Sequence, residues 1–141
     1  MSLKFAAALA MAALLSAGAA RADIVHVAAT LTGSDEVPPN TSTGHGELSG
    51  EVETAEHSLV YRATYSGLTG PATAAHFHGP AEPGSNAPPV VVMKDPSSPI
   101  SGATILTDQQ MEDVLAGKWY FNVHTAANPG GEIRGQVKRL N

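Results

Sequence analysis

Residues 58–67, SLVYRATYSG, decide the fold class of this chain because apolar and polar side chains alternate along them. One set of alternate positions is apolar or aromatic, namely Leu59, Tyr61, Ala63 and Tyr65. The other set is Val60, Arg62 and Thr64. Successive side chains of a β-strand point to opposite faces of a sheet, so this period of two predicts a strand with one face on a core. The other face lies in water, as antiparallel sheets allow.

The same alternation extends the prediction to most of the chain. It recurs in IVHVAATLTG (24–33), HGELSGEVE (45–53), KWYFNVHT (118–125) and GEIRGQVKR (131–139), with glycine and proline between the runs. Short alternating runs separated by turn residues are typical of antiparallel sandwiches and barrels. We therefore predict an all-β, antiparallel Greek-key β-sandwich or barrel.

Two other segments break the alternation. Residues 107–118, TDQQMEDVLAGK, predict one short helix that begins with a capping box formed by Thr107 and Gln110. Residues 79–101 contain six prolines. Because proline cannot donate a hydrogen bond to a sheet, we expect ordered loop in this segment, with at most a short edge strand.

The first 22 residues predict a secretory signal peptide that is not part of the fold. The stretch from Phe5 to Ala20 is small and apolar, and Ala20 and Ala22 are the small residues that a signal peptidase reads. This stretch is shorter than the roughly 20 residues of a membrane span. We therefore expect no membrane span, a periplasmic or secreted location, and a single domain over residues 23–141. The absence of cysteine excludes disulfides.

The charge balance bears on the class of partner. The chain has 8 lysines and arginines against 13 aspartates and glutamates, a net charge of −5. Nucleic-acid affinity depends on clustered lysine and arginine, so we expect no nucleic-acid partner. The sequence also lacks a phosphate-binding loop, a dinucleotide-binding loop and a nucleophile–histidine–acid pattern, which disfavours a standard hydrolase.

Two histidines lie close together near the end of one predicted strand. In TAAHFHG, residues 73–79, His76 and His78 share one face of the strand and Phe77 takes the other. Phe77 is the natural core residue. Both histidines therefore face away from the core.

A third histidine ends another predicted strand on the same side of the sheet. Within residues 118–125 the inward positions are Trp119, Phe121 and Val123. The outward positions are Tyr120, Asn122 and His124. We therefore expect three histidines on the outer face of the sheet, each near a strand end.

These histidines are candidate metal ligands. Two residues at positions i and i+2 are about 7 Å apart along a strand, so their rings can converge on one ion about 2 Å from each nitrogen. His124 from a neighbouring strand would complete a set suited to copper or zinc, with an open position for water or substrate. The proline-rich loop that starts at Gly79 is placed to cover such a site. The alternative is that all three are exposed histidines bonded to water or to loop carbonyls.

The segment NPGGEIRGQ, residues 128–136, supplies two further candidates beside Asn122. Glu132 and Arg134 share one strand face, where they could pair with each other or with loop residues. Alternatively, Glu132 could accept a hydrogen bond from a ligating imidazole, since such ligands usually donate their other N–H to a carboxylate or carbonyl. The remaining histidines, His26, His45 and His57, are expected to be ordinary polar residues.

The sequence resembles the CHRD domain, the module named after its repeats in the developmental protein chordin and also found singly in exported microbial proteins. The resemblance rests on LTGSDEVPP (31–39), AAHFHGPAEPGSNAPPVV (74–91) and WYFNVHTAANPGGEIRGQV (119–137), and it extends over residues 24–139. It implies a secreted β-domain.

A second resemblance, to copper/zinc superoxide dismutase, concerns the histidines alone. That family also has a His-x-His strand that points outward from a Greek-key barrel, which His76 and His78 match by position, with His124 as the late histidine. This chain departs from the pattern, because it lacks cysteine, a dense His/Asp loop after His78 and a fourth copper histidine.

Three functions remain as hypotheses from the sequence. The first is an exported protein that binds copper or zinc through the three histidines. The second is a metal-free module that binds an extracytoplasmic protein or a glycan. The third is a redox enzyme similar to superoxide dismutase.

Overall fold

The computed structural model describes residues 22–141, so the predicted signal peptide lies outside the described residues except for Ala22. The strands are β1 (Ile24–Thr32), β2 (His45–Glu53), β3 (Ser58–Ser66), β4 (Ala72–His78), β5 (Pro89–Val92), β6 (Ile100–Ile105), β7 (Tyr120–Thr125), β8 (Ile133–Gln136) and β9 (Lys138–Arg139). The helix α1 spans Asp108–Leu115, and a short 3-10 turn spans Gly33–Asp35.

The strands form one antiparallel sheet that curls into a nearly closed barrel. Their order is β5-β4-β7-β8-β1-β2-β3-β6, with β9 paired to β1. Strands that are distant in sequence become neighbours, since β7 pairs with β4 and β6 pairs with β3. The predicted all-β antiparallel barrel with one short helix is confirmed. No helix within residues 22–141 is long and apolar enough to cross a membrane.

Aromatic side chains from three strands fill the centre of the barrel. The Phe77 ring lies 5.1 Å from the Tyr61 ring, 5.0 Å from the Phe121 ring and 5.7 Å from the Trp119 ring, measured between centroids. Phe77, Phe121 and Trp119 are fully buried. The predicted inward phases of the two histidine-bearing segments are therefore correct, and their intervening residues belong to the outer face.

The helix begins with the capping box that the sequence predicts. The Thr107 side chain accepts a hydrogen bond from the Gln110 backbone N–H, and the Gln110 side chain accepts one from the Thr107 backbone N–H. Gly117, with φ of 75°, follows the last turn in the left-handed region that glycine adopts readily.

The proline-rich segment forms a loop and one short edge strand, as expected. The loop runs over residues 79–88 and returns as β5, which pairs with β4. It is attached at both ends, because the Ala81 N–H donates to the Lys118 carbonyl and the Gly79 N–H donates to the Pro88 carbonyl. This path carries the loop across the outer face of β4, β7 and β8.

Candidate metal centre

The pairing of β4 with β7 brings the three predicted histidines together. His76 lies opposite Asn122, and His124 lies opposite Ala74, which is two residues away from His76 on the same face of β4. His76, His78 and His124 each offer a ring nitrogen, and these nitrogens all lie within 4.8 Å of one another. Within residues 22–141 they are the one group of three or more histidine, cysteine or carboxylate residues with this geometry.

The spacing suits a small cation. The closest contact joins His76 Nδ1 to His124 Nε2 at 3.1 Å. Two nitrogens about 2.0 Å from a tetrahedral metal are about 3.3 Å apart. The closest pair therefore has the separation of a ligand pair, and the most distant nitrogen must approach by about 1.5 Å through side-chain rotation.

Two main-chain carbonyls determine which ring nitrogens are free to bind an ion. His78 Nδ1 lies 2.8 Å from the Ala87 carbonyl oxygen and His124 Nδ1 lies 2.9 Å from the Pro129 carbonyl oxygen. A carbonyl oxygen only accepts, so both Nδ1 atoms carry the proton, and in the neutral ring Nε2 then has a free lone pair. The Nε2 atoms of His78 and His124 both face the same point, the Asn122 side chain.

The histidines are less exposed than their outward direction suggests. His78 retains 8% of its surface, and Asn122 and Tyr120 retain 2% each, because the loop of residues 79–88 lies over them. The expectation of a polar face in water is therefore wrong at His78, which the loop covers as proposed from its position, whereas His76 and His124 remain partly exposed.

Burial also favours the neutral imidazoles that metal binding requires. It lowers the pKa of His76, and the neighbouring His124 and His78 lower it further. The pKa of His78 is lowered mainly by burial, although hydrogen bonds to Ala87 and Asn122 oppose this effect. Both shifts extend the neutral form to lower pH.

Arg134 holds the covering loop in place. Its guanidinium donates to the Asn86 side-chain oxygen and to the Ser85 carbonyl, both in the loop. It also lies 3.4 Å from the centre of the Tyr120 ring, and this ring stacks on His78 at 4.6 Å with an angle of 6° between the planes. Of the two roles considered for Arg134, pairing with loop residues is the one observed.

Of the partners considered for Glu132, residues of neighbouring loops are the ones observed. Its carboxylate accepts hydrogen bonds from the Ser42, Thr69 and Thr125 hydroxyls and from the Thr69 backbone N–H. It therefore neither pairs with Arg134 nor accepts from an imidazole, because it precedes β8 and the loops before β2 and β4 surround it. Burial alone would raise the pKa of the Glu132 carboxyl, but these hydrogen bonds outweigh it and hold the pKa at about 2.

Asn122 lies at the centre of the cluster, and a residue not expected from the sequence lies behind it. Asn122 Oδ1 is 2.9 Å from Nε2 of both His78 and His124, and its Nδ2 donates to Glu36 Oε1 at 3.5 Å. Glu36 is 5% exposed, and burial raises the pKa of its carboxyl to about 7 against the opposing effect of Arg134. Glu36 follows a turn rather than a strand, so no side-chain periodicity identifies it. We name His76, His78, His124 and Asn122 the histidine site.

The other histidines lie apart from this site. His26 is 3.6 Å from the Glu51 carboxylate and His57 is 3.1 Å from that of Asp108, while His45 bonds to Thr43 and Ser66. These are local polar contacts, as expected for ordinary polar residues.

Comparison with known proteins agrees with the resemblance noted in the sequence. No curated protein and no solved structure matches the chain significantly. The family model of the CHRD domain matches residues 27–137, which include both histidine-bearing strands and Glu36. The chain therefore belongs to the CHRD domain family, whose members are typically extracellular.

Proposed function

We propose that this CHRD domain binds one transition-metal ion, copper or zinc, through His76, His78 and His124, in the periplasm or outside the cell. One observation carries the proposal: main-chain carbonyls hold the Nδ1 protons of His78 and His124, so their Nε2 lone pairs converge beside His76. Lone pairs that face each other repel unless a cation or a donor lies between them.

The donor set suits these metals. Neutral imidazoles are preferred by zinc and copper, whereas calcium and magnesium prefer oxygen ligands. Three protein ligands leave a further position for water or an exogenous ligand, as in sites that handle a metal or support its chemistry. The surrounding residues keep the imidazoles oriented, because Ala87 and Pro129 accept their outer N–H groups and Tyr120 stacks on His78.

Calorimetric titration of tag-free protein with zinc or copper(II) tests the proposal. We expect about one equivalent to bind, with affinity that falls at a pH below the ordinary histidine value of about 6.5, because each imidazole must lose its proton to ligate and burial lowers the pKa of His76 and His78. His78→Ala should remove most of the binding, and His26→Ala, a change at an exposed histidine, should leave it intact. Absence of stoichiometric binding, or an equal loss in both variants, would contradict the proposal.

A second candidate is the metal-free interaction module, which exposed apolar side chains favour. Val60 on β3 and Ile105 on the edge strand β6 are 53% and 73% exposed. A protein partner that pairs with this edge would cover them. The dismutase-like redox enzyme has less support. The sequence lacks the cysteine, the dense His/Asp loop and the fourth copper histidine of that family. Within residues 22–141, the histidine site is also the one group of candidate metal ligands.

A further inference from the structure

A groove of about 760 Å³ crosses the outer face of β1, β2 and β3, and none of the three clustered histidines lines it. Its floor is made of small side chains, since Ala28 on β1 lies opposite Ser49 on β2. Pro83 and Gly84, from the loop of residues 79–88, line one side of it. The volume is within the usual range of sites for small ligands. We name this the outer groove.

Two basic side chains flank the floor of the outer groove. Lys138 on β9 lies opposite Ala28, and Arg62 on β3 lies opposite Ser49, so the four residues form one row on the same face of the sheet. Neighbouring strands are about 4.8 Å apart, so the Cα atoms of the two basic residues are about 14 Å apart. Side chains of this length can both reach a carboxylate above Ser49, whose hydroxyl is a further hydrogen-bond donor.

An acidic side chain lies one row further along the same face. Glu47 on β2 lies opposite Thr30 on β1 and Thr64 on β3. This row is two residues along the strands from the basic row, a distance of about 7 Å. All three side chains line the outer groove. The groove therefore presents positive charge in one row and negative charge between two hydroxyls in the next.

The charges of the outer groove are not paired within the described chain. The ion pairs of residues 22–141 are those of His26 and His57, so Arg62, Lys138 and Glu47 form none. All three are exposed in the groove. The ligand that complements them carries a negative and a positive charge about 7 Å apart. A polyanion fits less well, because Glu47 would repel it.

We propose that the outer groove binds a short peptide of two or three residues, with its C-terminal carboxylate on Arg62 and Lys138 and its N-terminal ammonium on Glu47. An extended chain spans about 3.3 to 3.6 Å per residue, so the charged ends of such a peptide are about 7 to 11 Å apart. The hydroxyls of Thr30 and Thr64 both donate and accept, and so match main-chain amides. This binding is separate from the proposed metal binding and does not depend on it.

Titration of metal-free protein with trialanine, followed by the NMR shifts of backbone amides, tests the proposal. We expect saturable shifts at Ala28 and Ser49 on the floor of the groove. Amidation of the trialanine carboxylate, or acetylation of its amine, should weaken binding about fivefold, because each removes one charged contact. Added salt should weaken the binding of unmodified trialanine more than that of either modified peptide, because it screens the charges.

Matched variants assign each end of the peptide to its partner. Arg62→Gln should weaken the binding of trialanine about fivefold, whereas Arg139→Gln removes the same charge outside the groove and should leave it unchanged. Glu47→Gln should weaken the binding of trialanine but not of its acetylated form, and the control Glu51→Gln, on the same face of β2, should weaken neither. All four positions are exposed, so the variants should fold as the wild type does.

Three results would overturn the proposal. They are the absence of saturable shifts at the groove floor with millimolar trialanine, equal losses in Arg62→Gln and Arg139→Gln, and unchanged affinity for the amidated peptide. Tighter binding of trigalacturonate than of trialanine would also overturn it, because the groove would then select an acidic glycan. The titrations contain no metal ion, so their outcome stands apart from the test of the histidine site.

Discussion

Two buried polar clusters touch the same strand, β7, and they differ in how their hydrogen bonds are satisfied. In the cluster around Glu132, one carboxylate accepts from Ser42, Thr69 and Thr125, so donors and acceptors match without any added group. In the histidine site, the unprotonated Nε2 atoms of His78 and His124 both face the amide oxygen of Asn122, which is itself an acceptor. The first arrangement is complete within the chain, whereas the second becomes complete when a cation or a correctly turned amide lies between the nitrogens.

The comparison separates a structural role from a ligand-binding role. A buried carboxylate with several hydroxyl donors joins loops that are far apart in sequence, and here it joins residues 42, 69 and 125 at one end of the barrel. A buried cluster of acceptors contributes little to stability by itself, because unpaired acceptors in a buried site are unfavourable. Such a cluster fits a role in binding better than a role in folding.

The largest effect should come from the Glu132 cluster. Glu132→Ala leaves three hydroxyls and one N–H without their acceptor in a buried place, and each such loss costs about 1 to 3 kcal/mol. With four such groups, we expect a total decrease of about 4 kcal/mol or more in the free energy of unfolding, measured with urea. Glu47→Ala, at an exposed position of β2, is the control and should change it little. Similar values for the two variants would contradict the structural role, and a selective loss of metal binding would reverse the comparison.

The two buried carboxyls should respond to pH in opposite directions. The folded pKa of Glu36 is raised from 4.5 to about 7, so its contribution to stability is present below pH 4.5 and is lost as the pH rises through 7. Glu132, with a pKa lowered to about 2, contributes above pH 4.5 and loses this as the pH falls toward 2. At 1.36 kcal/mol per unit, the Glu36 effect is about 3 kcal/mol.

Urea unfolding of metal-free protein near pH 5 and pH 8 tests whether the contribution of Glu36 to stability falls as the pH rises. Relative to Glu36→Gln, the wild type should lose most of about 3 kcal/mol between these two conditions. A gap between the two proteins that stays constant, or that widens in favour of the wild type at high pH, would show that Glu36 is not the protonated acid of the buried cluster.

Zinc should stabilise the histidine site without help from the Glu132 cluster. A ligand that binds the folded state alone adds about 2.7 kcal/mol at a free concentration 100 times its Kd. We expect this increment in the wild type, its loss in His78→Ala and its retention in His26→Ala, all followed by thermal unfolding with and without zinc. An equal increment in His78→Ala would mean that zinc binds elsewhere on the chain.

The strand faces could be predicted because alternation survives in the long, half-buried strands. Residues 58–66 show it best, since their inward side chains pack on the core and their outward ones meet solvent over much of the strand. Strand β6, residues 100–105, was not predicted. Its sequence ISGATI has small side chains at its central positions, and Gly102 lies where the Tyr61 hydroxyl would meet any Cβ atom within 2.4 Å. Packing against β3, not periodicity, makes this segment a strand.

The candidate site, too, could be predicted from the sequence only in part. The outward direction of His76, His78 and His124 followed from strand phase, and their convergence required the pairing of β4 with β7, which connects residues about 48 apart. The cover of the loop followed from its position after His78, but its contact with Arg134 joins residues 49 positions apart and could not be located in advance. Glu132 does bond to loop residues, one of the partners considered, but its donors Ser42, Thr69 and Thr125 come from two loops and the end of β7, which no local pattern connects.

The smallest expected effect concerns the contribution of His78 to the stability of the metal-free protein. A histidine on a solvated sheet face would contribute little, but His78 is buried, donates to the Ala87 carbonyl and stacks on Tyr120. Its replacement by alanine loses one hydrogen bond and leaves a small cavity under the loop. We therefore expect His78→Ala to lower the unfolding free energy of metal-free protein by about 1 to 2 kcal/mol. His26→Ala should change it by about 0.5 kcal/mol or less. If the two variants were equally stable in metal-free urea unfolding, the covering loop would not depend on His78, and the histidine site would differ from the Glu132 cluster even more than the structure indicates.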